Sequence, residues 1–93
     1  MAKKVFYQVR EFIEWHNCSP YHGSNGMYTD KSKALARMER ESKKWINRMC
    51  KDDDWLEPED FERINQELSD YIGYMTPAED YYHEWIEEIS LTA

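Results

Sequence analysis

Residues Thr29 to Lys51, TDKSKALARMERESKKWINRMCK, limit the possible folds of this chain more than any other stretch. At 100° per residue, Leu35, Met38, Ser42, Trp45, Ile46 and Met49 fall on one side of a helix. Lys33, Arg37, Arg40, Lys44, Arg48 and Lys51 gather on the other side, within roughly 80° of one another. Thr29 or Asp30 offers a side-chain oxygen to the first unpaired amides. A helix divided in this way has to lay its apolar stripe on another layer of the same small domain, residues 1–93.

The segment before the helix supplies part of that layer. From Val5 to Trp15 the residues alternate, with Val5, Tyr7, Val9, Ile13 and Trp15 on one face and Glu11 the exception. Asn17 to Gly26, NCSPYHGSNG, is rich in turn formers and reads as a long hairpin tip. Met27 and Tyr28 then begin a short return strand.

After the helix, Asp52-Asp53-Asp54 reads as a link. Glu57-Pro58-Glu59-Asp60 has Pro early and acids in a first turn, as a helix start does. Phe61, Ile64, Leu68, Tyr71, Ile72 and Met75 repeat a helical spacing, with Gly73 as an end point. The expectation is an antiparallel αα-hairpin. Thr76-Pro77-Ala78-Glu79 matches a capping box, and a helix from there puts Ala78, Tyr82, Trp85, Ile86 and Ile89 on one face, so residues 77–91 fit helix as well as strand; the favoured reading is one helical turn from Pro77. Glu84 to Leu91 then reads as a strand returning to the hairpin. The predicted fold is α+β: a short antiparallel sheet, made of the hairpin plus a C-terminal strand, packed on an αα-hairpin.

Charge divides the chain in two. Residues 1–51 hold eleven of the twelve Lys and Arg and five acids, a net +6; residues 52–93 hold one and fourteen, a net −13. Such asymmetry concerns partners and association rates more than fold. No run approaches the ~20 apolar residues of a membrane span, and Lys3-Lys4 are followed by interrupted apolar residues, unlike a signal peptide. With Cys18 and Cys50 too few for a disulfide framework, the chain reads as cytoplasmic with two free thiols.

Little here points to catalysis. His16, Cys18 and His22 lie close together but lack the paired short spacings of a zinc site, so no metal is expected. Neighbouring acids such as Glu87 and Glu88 diverge rather than converge on a substrate. There is no activated nucleophile in context and no Gly-rich phosphate loop, so neither enzyme activity nor a cofactor is expected.

The opening KKVFYQVREF, the run GMYTDKSKALARMER and the closing EWIEEISL resemble small, mostly uncharacterised phage-encoded α+β proteins. In that layout a strand of Gly, hydrophobic, aromatic and Ser/Thr runs into a helix with an early Lys-Ala, matched here by Gly26, Met27, Tyr28, Thr29, Lys33 and Ala34. The resemblance implies a compact α+β fold and a phage origin, hence the cytoplasm of a bacterial host, and it brings no catalytic residues. Residues 52–76 have no counterpart in it.

Charge and aromatic content favour a non-enzymatic, acidic protein-binding module. Its setting would be that of a phage-type inhibitor, anti-defence in kind, which occludes a host or defence protein with a basic surface. The contact residues on this reading are Asp52, Asp53, Asp54, Trp55, Glu57, Glu59 and Asp60, because Trp and Tyr among charges are what interfaces favour. A nucleic-acid-associated regulator using Lys33, Arg37, Arg40, Lys44 and Arg48 is the alternative. The net charge of −7 opposes it. A homo-oligomer, at its simplest a homodimer, is the third class, with basic and acidic halves pairing between copies.

Overall fold

A computed structural model describes residues 3–92 of the chain. It runs β1 (Lys3–Glu14), β2 (Tyr21–Tyr28), α1 (Lys31–Asp52), a 3-10 turn (Pro58–Asp60), β3 (Glu62–Ile64), β4 (Tyr71–Met75) and β5 (Tyr81–Thr92). The five strands form one antiparallel sheet in the order β2-β1-β5-β4-β3. The fold is therefore α+β, as expected, but with one α-helix rather than two among the described residues.

Alternation makes the two long strands, and they pair along their whole length, from Lys3 opposite Thr92 to Glu14 opposite Tyr81. Val9 and Ile13 of β1 are buried with Tyr82 of β5 on the face that α1 covers. The closing strand was expected over 84–91; it begins earlier because Tyr81 to His83 find partners on both β1 and β4.

β2 is also longer than the turn-rich composition of residues 17–26 predicts. Gln8 faces Met27 while Arg10 faces Ser24, so β2 carries one extra residue there. Gly26, at φ 107°, takes up that bulge in a conformation costly to any other residue. Asn25-Gly26 therefore bends a strand instead of turning a hairpin.

α1 starts as its sequence predicts, with Asp30 as the cap: the Ser32 amide donates to Asp30 Oδ1 at 2.9 Å. Ala34, Met38, Ser42, Trp45 and Met49 are buried against the sheet, and Leu35 lies at the margin of that face. Two apolar clusters result. One joins Ile13, Trp45, Met49, Leu56, Phe61 and Tyr82 under the C-terminal half of the helix, and the other joins Val9, Ala34, Met38 and Ile72 under its N-terminal half. Trp45 anchors the first, stacked on Tyr82 at 4.9 Å and edge-on to Phe61 at 5.4 Å.

The predicted second helix is absent, and the αα-hairpin with it. Its start signal does operate, since Glu57 and Asp60 form a capping box around Pro58, but the helix lasts one 3-10 turn. Phe61 is then buried against Trp45 and the chain becomes a β-hairpin. Without β4, β5 would present a bare edge of unpaired amides and carbonyls. Tyr71-Ile72-Gly73-Tyr74-Met75 has the aromatic and β-branched character that suits the pairing, so tertiary context overrides a helical spacing. Leu68, which the helical reading placed on the buried face, is 50% exposed.

Thr76 to Glu79 is a tight turn between β4 and β5, not a helical turn. The Glu79 amide donates to the Thr76 carbonyl at 2.9 Å, and Glu79 itself has φ 64°. Buried Asp80 accepts from the backbone amide of His16 at 2.9 Å and lies 2.7 Å from its Nδ1, joining this turn to the β1–β2 loop.

Candidate functional site

Three regions gather chemistry: the acidic loop after α1, the exposed side of α1, and a cleft between α1 and the β1–β2 edge.

The loop holds every acidic contact residue that the sequence analysis names. Asp52 ends the helix, Asp53 caps it by donating its amide to the Met49 carbonyl, and Asp54, Trp55, Glu57, Glu59 and Asp60 follow in exposed positions. Leu56 and Phe61 are buried in the Trp45 cluster and pin the loop at two points. Trp55 is left 59% exposed among the acids. Among the described residues none of these six carboxylates pairs with a cation. The field they create reaches Cys50, whose thiol is pushed up first by burial and then by Glu57, Asp60 and Glu59. Three aspartates also sit where the helix carbonyls already concentrate negative charge, an arrangement that works against helix stability.

The basic side of α1 is less available than its sequence suggests. Arg37 Nε is 2.7 Å from Glu41 and its Nη1 donates to the Tyr28 hydroxyl, while Lys44 approaches the same carboxylate at 3.4 Å. Lys33, Arg40 and Arg48 stand exposed with no ion pair among the described residues. The five cations do not act as one row.

The sequence analysis missed the cleft. Glu11, Ile13 and Trp15 of β1 and the adjoining loop, Tyr21 of β2, and Glu41, Lys44, Trp45 and Arg48 of α1 enclose a volume of about 490 Å³. One of the lining residues, Glu11, sits on β1 between Val9 and Ile13, which belong to the two apolar clusters. There the register sets Glu11 directly opposite Glu84 of β5 on the helix-covered face. Glu84 has no accessible surface; its Oε2 accepts from Asn25 at 3.0 Å, and its Oε1 has no hydrogen-bond partner among the described residues. The buried Tyr82 hydroxyl and the Trp45 indole N–H are likewise unpartnered.

Burial is the main cause that pushes the Glu84 carboxyl up to about 8, with Asn25 and the nearby Tyr82 hydroxyl opposing and Glu11 and Glu41 adding to it. Glu11 is raised for the same first reason, with Glu41 adding and Arg48 opposing. At neutral pH the pair therefore holds a proton. One sequence signal pointed here: Glu11 is the single acid that interrupts the apolar face of β1. Nothing local marked Glu84, which only strand register brings to it.

Among the described residues no helix covers the other face of the sheet. Phe12 there contacts His22 at 4.5 Å and His83 at 5.9 Å. His83 is hydrogen-bonded through Nδ1 to the Tyr71 hydroxyl and through Nε2 to Glu14 at 3.1 Å, a chain that ties β1, β4 and β5. His16, Cys18 and His22 do not converge: His16 turns to Asp80, Cys18 to Asn17 and His22 to Phe12. No helix among the described residues is long and apolar enough to cross a membrane. The chain matches no family model, and neither a curated protein nor a solved structure matches it significantly.

Proposed function

We propose that this protein is a non-enzymatic binding module that docks its Asp52–Asp60 loop on a basic face of another protein and occludes that face. The loop carries the reading. Six carboxylates without cationic partners among the described residues flank an exposed Trp, on a segment anchored by buried Leu56 and Phe61. Acids placed against the helix C-terminus weaken the fold, and a docking role accounts for their presence there. The exposed indole provides the apolar anchor that charge alone lacks. The resemblance to phage-encoded proteins gives the setting: an inhibitor of a host or defence protein, acting in the bacterial cytoplasm.

The test is retention from nuclease-treated bacterial lysate by the wild type and by the D52K/D53K/D54K variant. A protein recovered in near-equal amount by the first and lost by the second, with the melting temperature not lowered, supports the proposal. Equal recovery by both removes the loop from the interface. Recovery only without nuclease transfers the function to Lys33, Arg37, Arg40, Lys44 and Arg48.

A further inference from the structure

The side of the sheet that α1 leaves open has the composition of an interior. An antiparallel sheet with one face in water alternates apolar and polar residues, yet β1 and β5 are apolar in both phases. Val9, Ile13 and Tyr82 lie under the helix, while the register sends Phe6, Phe12, Tyr81, Trp85 and Ile89 the other way, beside Tyr71 of β4. All six are only partly buried. Tyr71 lies along the sheet rather than standing out from it, over Gly73, where a Cβ would collide with its ring. Phe12 and Tyr81 hold their rings within 22° and 4° of the plane of His83.

The five strands, 12, 8, 3, 5 and 12 residues long, cover roughly 600 Å² at about 3.3 Å per residue and about 4.8 Å between strands. Two such faces in contact bury about 1,200 Å², where standard-size interfaces begin. Charge on this face almost cancels. Among the described strand residues it carries Lys4 and Arg10 against Glu14, Glu62 and Glu87, and Arg10 is already 3.0 Å from Glu87. A two-fold contact needs a patch that complements itself, and an apolar face with both signs of charge does so. The acidic loops are no obstacle, because Leu56 and Phe61 hold each one on the helix side of its own sheet. Two sheets about 10 Å apart then separate the loops by more than the Debye length of about 8 Å. Rings on an open sheet also suit the bases of a single strand, but three carboxylates to two cations repel its phosphates.

We propose that the chain forms a symmetric dimer through this open face, the two sheets packed face to face with α1 and the acidic loop of each copy turned outward. Trp85, opposite Arg10 on β1 and Tyr71 on β4, is its anchor. The contact is apolar and differs from a pairing of basic with acidic halves. It does not rest on the docking role of the loop; where that role holds, the dimer offers two loops facing opposite ways.

Sedimentation velocity of the full chain, from micromolar to millimolar concentration at low and high salt, tests it. The mass should rise to twice 11.3 kDa, as readily in high salt as in low. In an NMR dilution series the indole N–H signal of Trp85 should shift, and that of Trp45, beneath α1, should not. Trp85→Glu should weaken association by about a hundredfold or more. Met27 is half-exposed on edge strand β2 and faces the same way, so Met27→Glu loads the fold little and should weaken association by about tenfold. The D52K/D53K/D54K variant should dimerise like the wild type. A monomer at millimolar concentration overturns the proposal, and a Trp85 signal that shifts instead with oligouridine gives the face to a single-stranded nucleic acid. A dimer lost in high salt or in the loop variant, or unchanged in both Trp85→Glu and Met27→Glu, overturns it as well.

Discussion

Glu84 has no accessible surface, whereas Asp52, Asp54, Glu57, Glu59 and Asp60 stand in water, and the same carboxylate chemistry does opposite things in the two places. Inside, desolvation dominates: the charge is suppressed, a proton is retained, and the cost falls on the stability of this fold. Outside, each charge is cheap to keep and its field extends to whatever approaches. Both groups border the Trp45 cluster, the loop through Leu56 and Phe61 and the pair through Ile13 and Tyr82. Burial, not residue type, separates an acid that stores a proton from one that recruits a partner.

The sharpest way to break this comparison is pH. The folded Glu84 carboxyl lies at about 8 against an ordinary 4.5, so between these values the folded chain holds a proton that the unfolded chain has released. Stability from this group is therefore fully present below pH 4.5 and is lost as pH rises towards 8. At about 1.4 kcal/mol per unit, the loss amounts to several kcal/mol. Thermal melts from pH 5 to 9 should show it. Glu84→Gln keeps an acceptor for Asn25 and has nothing to ionise, so it should flatten the decline and melt higher than wild type at pH 8.5. A parallel decline in the variant would show that Glu84 is not its source.

The next effect is smaller and has the opposite sign to most surface mutations. Replacing Asp52, Asp53 and Asp54 together by Asn removes negative charge from the negative end of α1, and should stabilise the fold by about 1 kcal/mol in total. Chemical denaturation at low salt reads this, and the gain should shrink as salt is added. The same variant should bind a basic partner less well; a gain in stability without loss of binding would separate the loop from recognition.

Cys50 reports the smallest effect. Burial is the main reason its thiol is raised, and Glu57, Asp60 and Glu59 add less. Converting those three to Gln, Asn and Gln should speed alkylation of Cys50 at pH 8 by a few-fold, with exposed Cys18 as the internal reference. Equal acceleration of both thiols would mean local opening rather than a change of field.

These two regions also differ in how far the sequence exposes them. The loop can be read directly, because it is local: a charge run bracketed by a helix end and a Pro-led turn. α1, its Asp30 cap and β1 are legible for similar reasons, each from its own spacing, whereas residues 84–91 satisfy a helical period as well as alternation, and only the need of a hairpin for a third strand favours the strand. The second helix is misread because Phe61, Ile64, Leu68 and Tyr71 satisfy a helical period, while the force that overrides it, the unpaired edge of β5, lies outside the segment. The Glu11–Glu84 pair is hidden more deeply. Its members belong to opposite ends of the chain and meet only through the β1–β5 register. A lone acid on an apolar strand face was the one visible hint.

That register has a consequence for how the protein comes into being. The first strand made must wait at the ribosome until Tyr81–Thr92 has been synthesised, since β5 alone lies between β1 and β4. Until then the strands can pair only as β2-β1 and β4-β3, leaving a long unsatisfied edge on β1 and a short one on β4. Pairing so distant in sequence is slow to close, and exposed edges of this kind invite association with other chains. A stop codon shortly before Tyr81 would therefore yield not a smaller sheet but two sticky hairpins and a helix with half its platform missing.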